Sequence, residues 1–409
     1  MDVVELTQQL VRIPSVNPMG SDQTDAPYLE CRVTDFLEQV FTQQQIPSQR
    51  QSVLPKRDNI VALFDPHGAK GANGLLLLEA HQDTVPVTGM TIEPFSGKNE
   101  RGKIWGRGSC DIKGGMATML AVCSRLMKEK PVHAPTILMA CTINEENGFD
   151  GIQHLAESWS TGQFPFLDRL PDAAIVAEPT ELNVVVAHKG TVRWKCHTIG
   201  KAAHSSSPGQ GENAFYTMAQ VLVALEKYAN RICHAEASYP LLTPPSLSVG
   251  TIAGGVSVNT VPDRCTIEID RRLWPNEDAD AIYQEVIQFV QQETNLGERI
   301  MHDPPYLKSL GLASNNNQSL SQRFIAAAEA TDIASHAIGV PFGTNAGTVA
   351  TAGIPTIVFG PGSIEQAHTA DEWIAIDQLR KAEEILFRFC ANGLSNARST
   401  DSYPQNRSE

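Results

Sequence analysis

Apolar positions recur at helical spacing over residues 2–12, and Pro14 and Pro18 then stop the helix. A second helix is predicted over 27–45. Asn59–Phe64 and Gly74–Ala80 carry strand-length apolar runs instead. The second run, Leu75-Leu76-Leu77-Leu78-Glu79-Ala80, hardly alternates, which marks a strand covered on both faces. A helix is predicted over Lys113–Glu129, with strands at Thr136–Thr142 and Ala173–Ala177. Strands alternating with helices imply an α/β layered core.

Beyond residue 184 the pattern changes. Thr191–Ile199 alternates as a half-buried strand does, and Glu212–Ala229 reads as a helix. Strands at Leu247–Ala253 and Arg264–Asp270 and a helix over Asn276–Gln292 complete a compact α+β insertion. Ile354–Phe359 returns to the buried-strand style, and Gln378–Cys390 closes with a helix. The division expected is one discontinuous α/β domain, residues 1–183 and 296–395, interrupted by a smaller domain over 184–295. Residues 396–409 are polar and read as a disordered tail.

Length and composition agree with this division, since 409 residues with 42% hydrophobic content can fill two or three cores. The formal net charge of −14 argues against sequence-independent binding to nucleic acid or to an anionic membrane. No apolar run reaches bilayer-spanning length, and the start lacks the basic-then-apolar order of a secretion signal. Eight cysteines are scattered with no C-x-x-C pair, so neither a thiolate zinc site nor a redox dithiol is signalled. Such thiols suit a reducing, cytoplasmic location.

The candidate chemistry lies where strands should end. His81 and Asp83 follow the Leu-rich run two residues apart. In extended chain both point to one side, so Asp83 can orient the His81 ring. Asp111 stands between glycines at the mouth of a predicted helix. Glu145 and Glu146 follow Thr136–Thr142, Glu178 follows Ala173–Ala177, and His368 follows Ile354–Phe359. Adjacent carboxylates at a buried strand end need a cation or a proton to neutralise them. Oxygen and imidazole donors without thiolate suit two zinc ions, or cobalt or manganese, in a hydrolytic site. Asp111 would bridge, with His81, Glu146, Glu178 and His368 as the other ligands. Glu145 would remain free as general base, moving a proton from water to a leaving nitrogen.

Bland readings suit many of these residue types taken singly. His67, His133, His154, His188, His197, His234, His302 and His336 read as surface or satisfied core histidines. Asp111 alone would be a helix N-cap, and Glu145-Glu146 alone a solvated turn. The Gly106–Gly108 turn lacks both the Walker spacing and the third glycine of a dinucleotide fingerprint. No G-x-S-x-G elbow accompanies His81 and Asp83, so a serine triad is not indicated.

Taken in order, H-x-D-T-V-P (from His81), G-x-x-D-x-K-G-G (from Gly108), E-E-x-G (from Glu145), E-P-T (from Glu178) and G-P-G-x-x-x-x-A-H (ending at His368) resemble the metal-dependent M20 peptidase and deacylase family. The resemblance spans about Leu6 to about Leu386. It implies a zinc-exopeptidase-like α/β catalytic domain carrying an inserted α+β lid and dimerisation domain, in a homodimer. It also implies His81, Asp111 and Glu178 at one zinc, and Asp111, Glu146 and His368 at the other. Glu145 would be the base, with Asp83 supporting His81. In the insertion, Gly200-Lys201-Ala202-Ala203-His204-Ser205 matches the family's lid segment, which makes His204 a catalytic candidate. Asn259, Arg271 and Thr344 match positions near substrate, and Arg272 competes with Arg271 for that role. Gly343-Thr344-Asn345-Ala346 carries Asn345 where the family often has an acid.

The expected reaction is hydrolysis of an N-acyl amino acid by water. N-acetylornithine deacetylation, a step of arginine biosynthesis, is favoured. Its rivals are succinyl-diaminopimelate desuccinylation and broader aminoacylase or dipeptidase action. A protein that only binds an amino acid would need no base, so Glu145 argues against that class.

Overall fold

The leucine-rich run forms the strand Leu75–His81, in which all seven residues are buried. Each buried leucine contributes roughly 1.5–3 kcal/mol of hydrophobic stabilisation relative to exposure. Thr136–Thr142 beside it is likewise buried throughout. These strands pair in parallel, and Leu75–His81 also pairs in parallel with Ala173–Val176. Thr356–Val358 extends the parallel stretch from Ala173–Val176. The strand order of the whole eight-stranded sheet is Ser48–Leu54, Arg57–Phe64, Thr136–Thr142, Leu75–His81, Ala173–Val176, Thr356–Val358, Val184–His188, Ala337–Val340. The parallel strands all end on one edge, so the loops that leave them share a cleft, as in open α/β sheets generally.

The computed structural model describes residues 1–68, 70–163, 165–234 and 238–394. The segment 396–409 lies outside the described residues.

The chain divides into two units. The first comprises Met1–Val186, Ser314–Ala337 and the chain from Val349 onward. Helices Val3–Val11, Cys31–Gln43, Gly114–Glu129, Gln318–Glu329 and Ile376–Ala391 contribute to its hydrophobic core with the central strands. The helix Gly114–Glu129 starts with two glycines for a steric reason. A Cβ on Gly114 would lie 2.6 Å from the Ser109 carbonyl oxygen.

The second unit comprises Ala187–Ala313 and Ile338–Thr348. Its antiparallel sheet runs Ser246–Gly254, Arg264–Leu273, Gly190–Ile199, Ile300–His302. Helices Ala214–Cys233 and Ala279–Thr294 supply Met218, Val221, Leu225, Val286 and Val290 to a core shared with Trp194, Ile267 and Ile269. This unit is wider than the 184–295 insertion expected from sequence. Ile300–His302 and Leu307–Ser309 both pair with Gly190–Ile199, which draws the chain up to Ala313 into it.

Several elements escaped the sequence pattern. Ser48–Leu54 is a polar strand at the sheet edge, half-buried to exposed, so it shows no apolar run. Helices Asp150–Ser160 and Gln318–Glu329 and the strand Val184–His188 were also not anticipated.

Candidate metal centre

Six of the residues singled out from sequence come together in the first unit. His81 is the last residue of its strand. Glu145 and Glu146 lie just past Thr142, after Asn144 turns the chain at φ 61°. Glu178 is two residues past Val176, and Gly360 packs close enough that a Cβ there would lie 2.5 Å from the Glu178 carbonyl oxygen. Asp111 sits in a tight turn over Ser109–Lys113, and the Asp111–Ile112 peptide is cis. Gly108, at φ 81°, opens that turn, and a Cβ on it would strike the Thr84 methyl at 2.7 Å. His368 lies in the loop after Thr356–Val358.

Two ligand sets result. His81, Asp111 and Glu178 offer donor atoms that all lie within 4.8 Å of one another, and so do Asp111, Glu146 and His368. Asp111 belongs to both. Its Oδ1 lies 3.1 Å from His81 Nε2, and its Oδ2 lies 3.2 Å from His368 Nε2. His368 Nε2 is also 3.3 Å from Glu146 Oε2.

The donor set fits divalent ions on two counts. Ligand atoms held at about 2.0–2.1 Å by one tetrahedral ion stand roughly 3.3 Å apart, the size of the separations just given. Glu146 Oε1 is buried with no hydrogen-bond partner, an acceptor that a cation would satisfy. His81 is oriented for ligation as well. Its Nδ1 lies 3.0 Å from the Asp83 carbonyl oxygen, so the N–H donates there and Nε2 presents its lone pair to the site.

Crowded carboxylates shift the protons of this cluster. Burial raises the Glu145 pKa well above the usual range; the His81 imidazole opposes this, and Glu146, Asp111 and Asp83 reinforce it. Burial and the charge of Asp111 carry Glu146 up to about 7. Burial, with Asp111 and Glu145 nearby, raises Glu178 well above its ordinary value. Hydrogen bonds to Asp111 and Glu146 lift His368 to about 10.

Asp83 does more than support His81. Its carboxylate accepts the backbone N–H of Glu145 and of Glu146, each at 3.1 Å, and the Asn17 amide at 2.8 Å. Asn17 also donates to Asn144 Oδ1 at 2.7 Å, and Arg57 donates to the same oxygen at 2.9 Å. Arg57 is itself held by a buried ion pair with Glu30. Asn17, Arg57 and Glu30 fix the loop that carries Glu145 and Glu146, and sequence reasoning missed all three. Each lies far from the motifs, and only the buried hydrogen bonds identify them.

The remaining candidates lie in the second unit. His204 is exposed on a two-residue strand paired with Thr260–Val261. The Ser206 N–H donates to His204 Nδ1 at 3.1 Å, so in the neutral ring Nε2 carries the proton. Asn259 is its neighbour, and the Asn259 carbonyl accepts the Ser205 N–H. Arg271 and Thr344 sit differently from what substrate contact requires. Arg271 lies on the helix-covered face of its strand, in register with Cys265, Ile267, Ile269 and Leu273, and is 1% exposed. Its guanidinium is committed to Glu277 at 2.9 Å and to the Arg272 carbonyl. Strand alternation puts Arg272 on the other face, where it pairs with Asp270. The Thr344 hydroxyl is buried between His188 Nε2 at 3.1 Å and the Ala346 N–H at 3.1 Å. His188 is thus a satisfied core histidine, and burial lowers its pKa to about 4.

Among known proteins, the acetylornithine deacetylase of Erwinia tasmaniensis is 28% identical over 398 residues, covering 94% of this chain and 95% of its own. That of Pectobacterium carotovorum is 29% identical over 399 residues, with the same coverages. The fold matches an M20 family metallo-carboxypeptidase from Sulfolobus solfataricus with a TM-score of 0.75 at 18% identity, covering 96% of this chain and 99% of that one. It also matches a dipeptidase from Saccharomyces cerevisiae with a TM-score of 0.76 at 14% identity, covering 95% of each chain. Residues 77–392, which include every candidate ligand, match the description of Peptidase family M20/M25/M40. The protein is a metal-dependent amidohydrolase, and the chain belongs to peptidase family M20/M25/M40.

Proposed function

We propose that the protein hydrolyses the amide bond of an N-acyl amino acid, with N-acetylornithine as the favoured substrate. The observation that carries the reading is one carboxylate, Asp111, common to two ligand sets, with Glu145 beside both and in neither. His81, Asp111 and Glu178 would hold one divalent ion, and Asp111, Glu146 and His368 the other; zinc is favoured over cobalt or manganese. Such ions supply Lewis-acid polarisation of the scissile carbonyl and lower the pKa of water. Glu145 takes the proton of the attacking water and delivers it to the leaving nitrogen. Burial raises its pKa well above the usual carboxylate range, which favours holding the proton it takes from water. His204, exposed and with Nε2–H as its donor, is assigned to the oxyanion of the tetrahedral intermediate.

The amino-acid product carries an α-carboxylate, for which a guanidinium fork is the natural partner. Arg271 is closed off by burial, so the role passes to Arg272, with Asn259 as a neutral donor. A panel of N-acyl amino acids and matched amides lacking the carboxylate tests both points. Acetylornithine should be cleaved best. Arg272→Ala should lower kcat/KM on carboxylate substrates by about 10–100-fold, the effect of losing one charge-assisted hydrogen bond, and spare the plain amides. Arg271→Ala should instead destabilise the insertion by about 3 kcal/mol, as removal of one partner of a buried pair does. Efficient cleavage of succinyl-diaminopimelate but not acetylornithine would overturn the substrate assignment.

A homodimer is proposed through the second unit. Ser246–Gly254 is an edge strand, and Ile252, Val256 and Val258 on and beside it are 62%, 87% and 101% exposed. An open edge with apolar side chains pairs readily with its own copy about a two-fold axis. His204 would then serve the partner's site. Sedimentation of a fully active monomer would exclude this arrangement. A cytoplasmic location is also proposed. All eight cysteines are free, and no helix among the described residues is long and apolar enough to cross a membrane. Recovery of the protein outside the cytoplasmic fraction of cells would contradict this placement.

A further inference from the structure

The turn that carries Asp111 is held from below by a residue outside every motif. Glu372 is fully buried, just ahead of the short strand Trp373–Ala375. Its Oε1 accepts the backbone N–H of Cys110 at 2.9 Å and of Asp111 at 3.1 Å. Its Oε2 accepts the Gly108 N–H at 3.0 Å and the Arg107 guanidinium at 2.7 Å. The Glu372 carbonyl oxygen accepts the Gly106 N–H at 2.9 Å. One residue therefore binds the backbone at 106, 108, 110 and 111. Arg107 is itself buried, and its other terminal nitrogen donates to the Pro86 carbonyl at 3.2 Å.

We propose that Glu372 is a positioning residue for the metal centre, acting through Asp111. The inference rests on the reading of Asp111 as the shared ligand. A bridging carboxylate must present one oxygen to each ion, so a small rotation of its backbone spoils both contacts. The Asp111 N–H fixes that rotation by ending on Glu372 Oε1, and the Gly108 and Cys110 amides converge on the same carboxylate. Three N–H groups closing on one carboxylate form an anion-holding concavity in the backbone. Arg107 pairs with the Glu372 carboxylate at 2.7 Å and ties it to the same turn, so the carboxylate that gathers these amides is itself held in place. Glutamine at 372 would keep the shape but turn an N–H donor toward one of these amides.

The test compares wild type, Glu372→Gln and the double variant Glu372→Gln/Arg107→Met. The double variant removes both buried charges, so neither is left unpaired if the single change prevents folding. Zinc affinity is measured by chelator competition, thermal stability on the metal-free proteins, and turnover at saturating zinc. The dissociation constants of both ions should rise by about 10–100-fold, the range for residues that orient metal ligands. Most of kcat should return once zinc saturates. Unchanged zinc affinity with a lower melting temperature would make Glu372 an ordinary structural residue and overturn the proposal. Wild-type protein that takes up no ion would instead overturn the reading of the metal centre beneath it.

Discussion

Glu145→Gln is expected to lower kcat by about two to four decades, the range for a lost acid–base group. Metal content should stay at the wild-type level, because Glu145 belongs to neither ligand set. The substitution keeps size and shape, and the Glu145 N–H to Asp83 is a backbone contact that it leaves intact. What disappears is the proton acceptor that the proposed mechanism places between water and the leaving nitrogen. Folding should not suffer, since the amide has the size of the carboxyl group it replaces and adds no charge to a cluster crowded with Glu146, Asp111 and Asp83. Near-normal turnover with full metal content would remove Glu145 from the mechanism.

That prediction depends on a part of the molecule that was legible in the residues. Buried parallel strands advertise themselves by unbroken apolar runs, so Leu75–His81 and Thr136–Thr142 could be located without coordinates. Polar residues directly after such runs have to lie at the sheet edge, so His81 and Glu145–Glu146 were found with them. Asp111 and His368 needed the glycine-rich turns around them as well. The structure brings the five ligand candidates into two groups, His81–Asp111–Glu178 and Asp111–Glu146–His368.

The illegible part has a common physical cause. Strand alternation decides whether Arg271 or Arg272 faces the helices, and adjacent arginines give no sign of which phase holds. The answer lies in the apolar residues at 265, 267, 269 and 273, which share a face with Arg271. Thr344 looked available because nothing in the chain near it reveals that His188 consumes its hydroxyl. Asn17, Glu30, Arg57 and Glu372 act through hydrogen bonds to distant backbone, and such bonds leave no periodic trace. The limits of the second unit were obscured for a similar reason, since Leu307–Ser309 is too short to read as a strand until its partner is known.

Loss of Asp111, the residue common to both donor groups, should have the largest consequence of any single change. Asp111→Ala removes a donor from both sets at once, whereas Glu178→Ala and Glu146→Ala each remove a donor from one. The Asp111 variant should therefore bind neither ion at wild-type affinity, and its activity should fall below that of Glu145→Gln. Each of the other two should lose one ion preferentially. Protons offer a second readout. A ligand must shed its proton to coordinate, and in the metal-free protein His368 holds one up to about pH 10 and Glu146 up to about pH 7. Zinc uptake by the wild type at pH 7 should then release protons, and affinity should fall as the pH is lowered. Calorimetric titrations in two buffers of different ionisation enthalpy would show the release as a buffer-dependent heat. In Asp111→Ala, His368 loses one of the two carboxylates that raise its pKa, so both zinc uptake and the heat difference should shrink together. If Asp111→Ala keeps one ion per chain at wild-type affinity, Asp111 does not join the two sets, and the centre must be built on a different bridge.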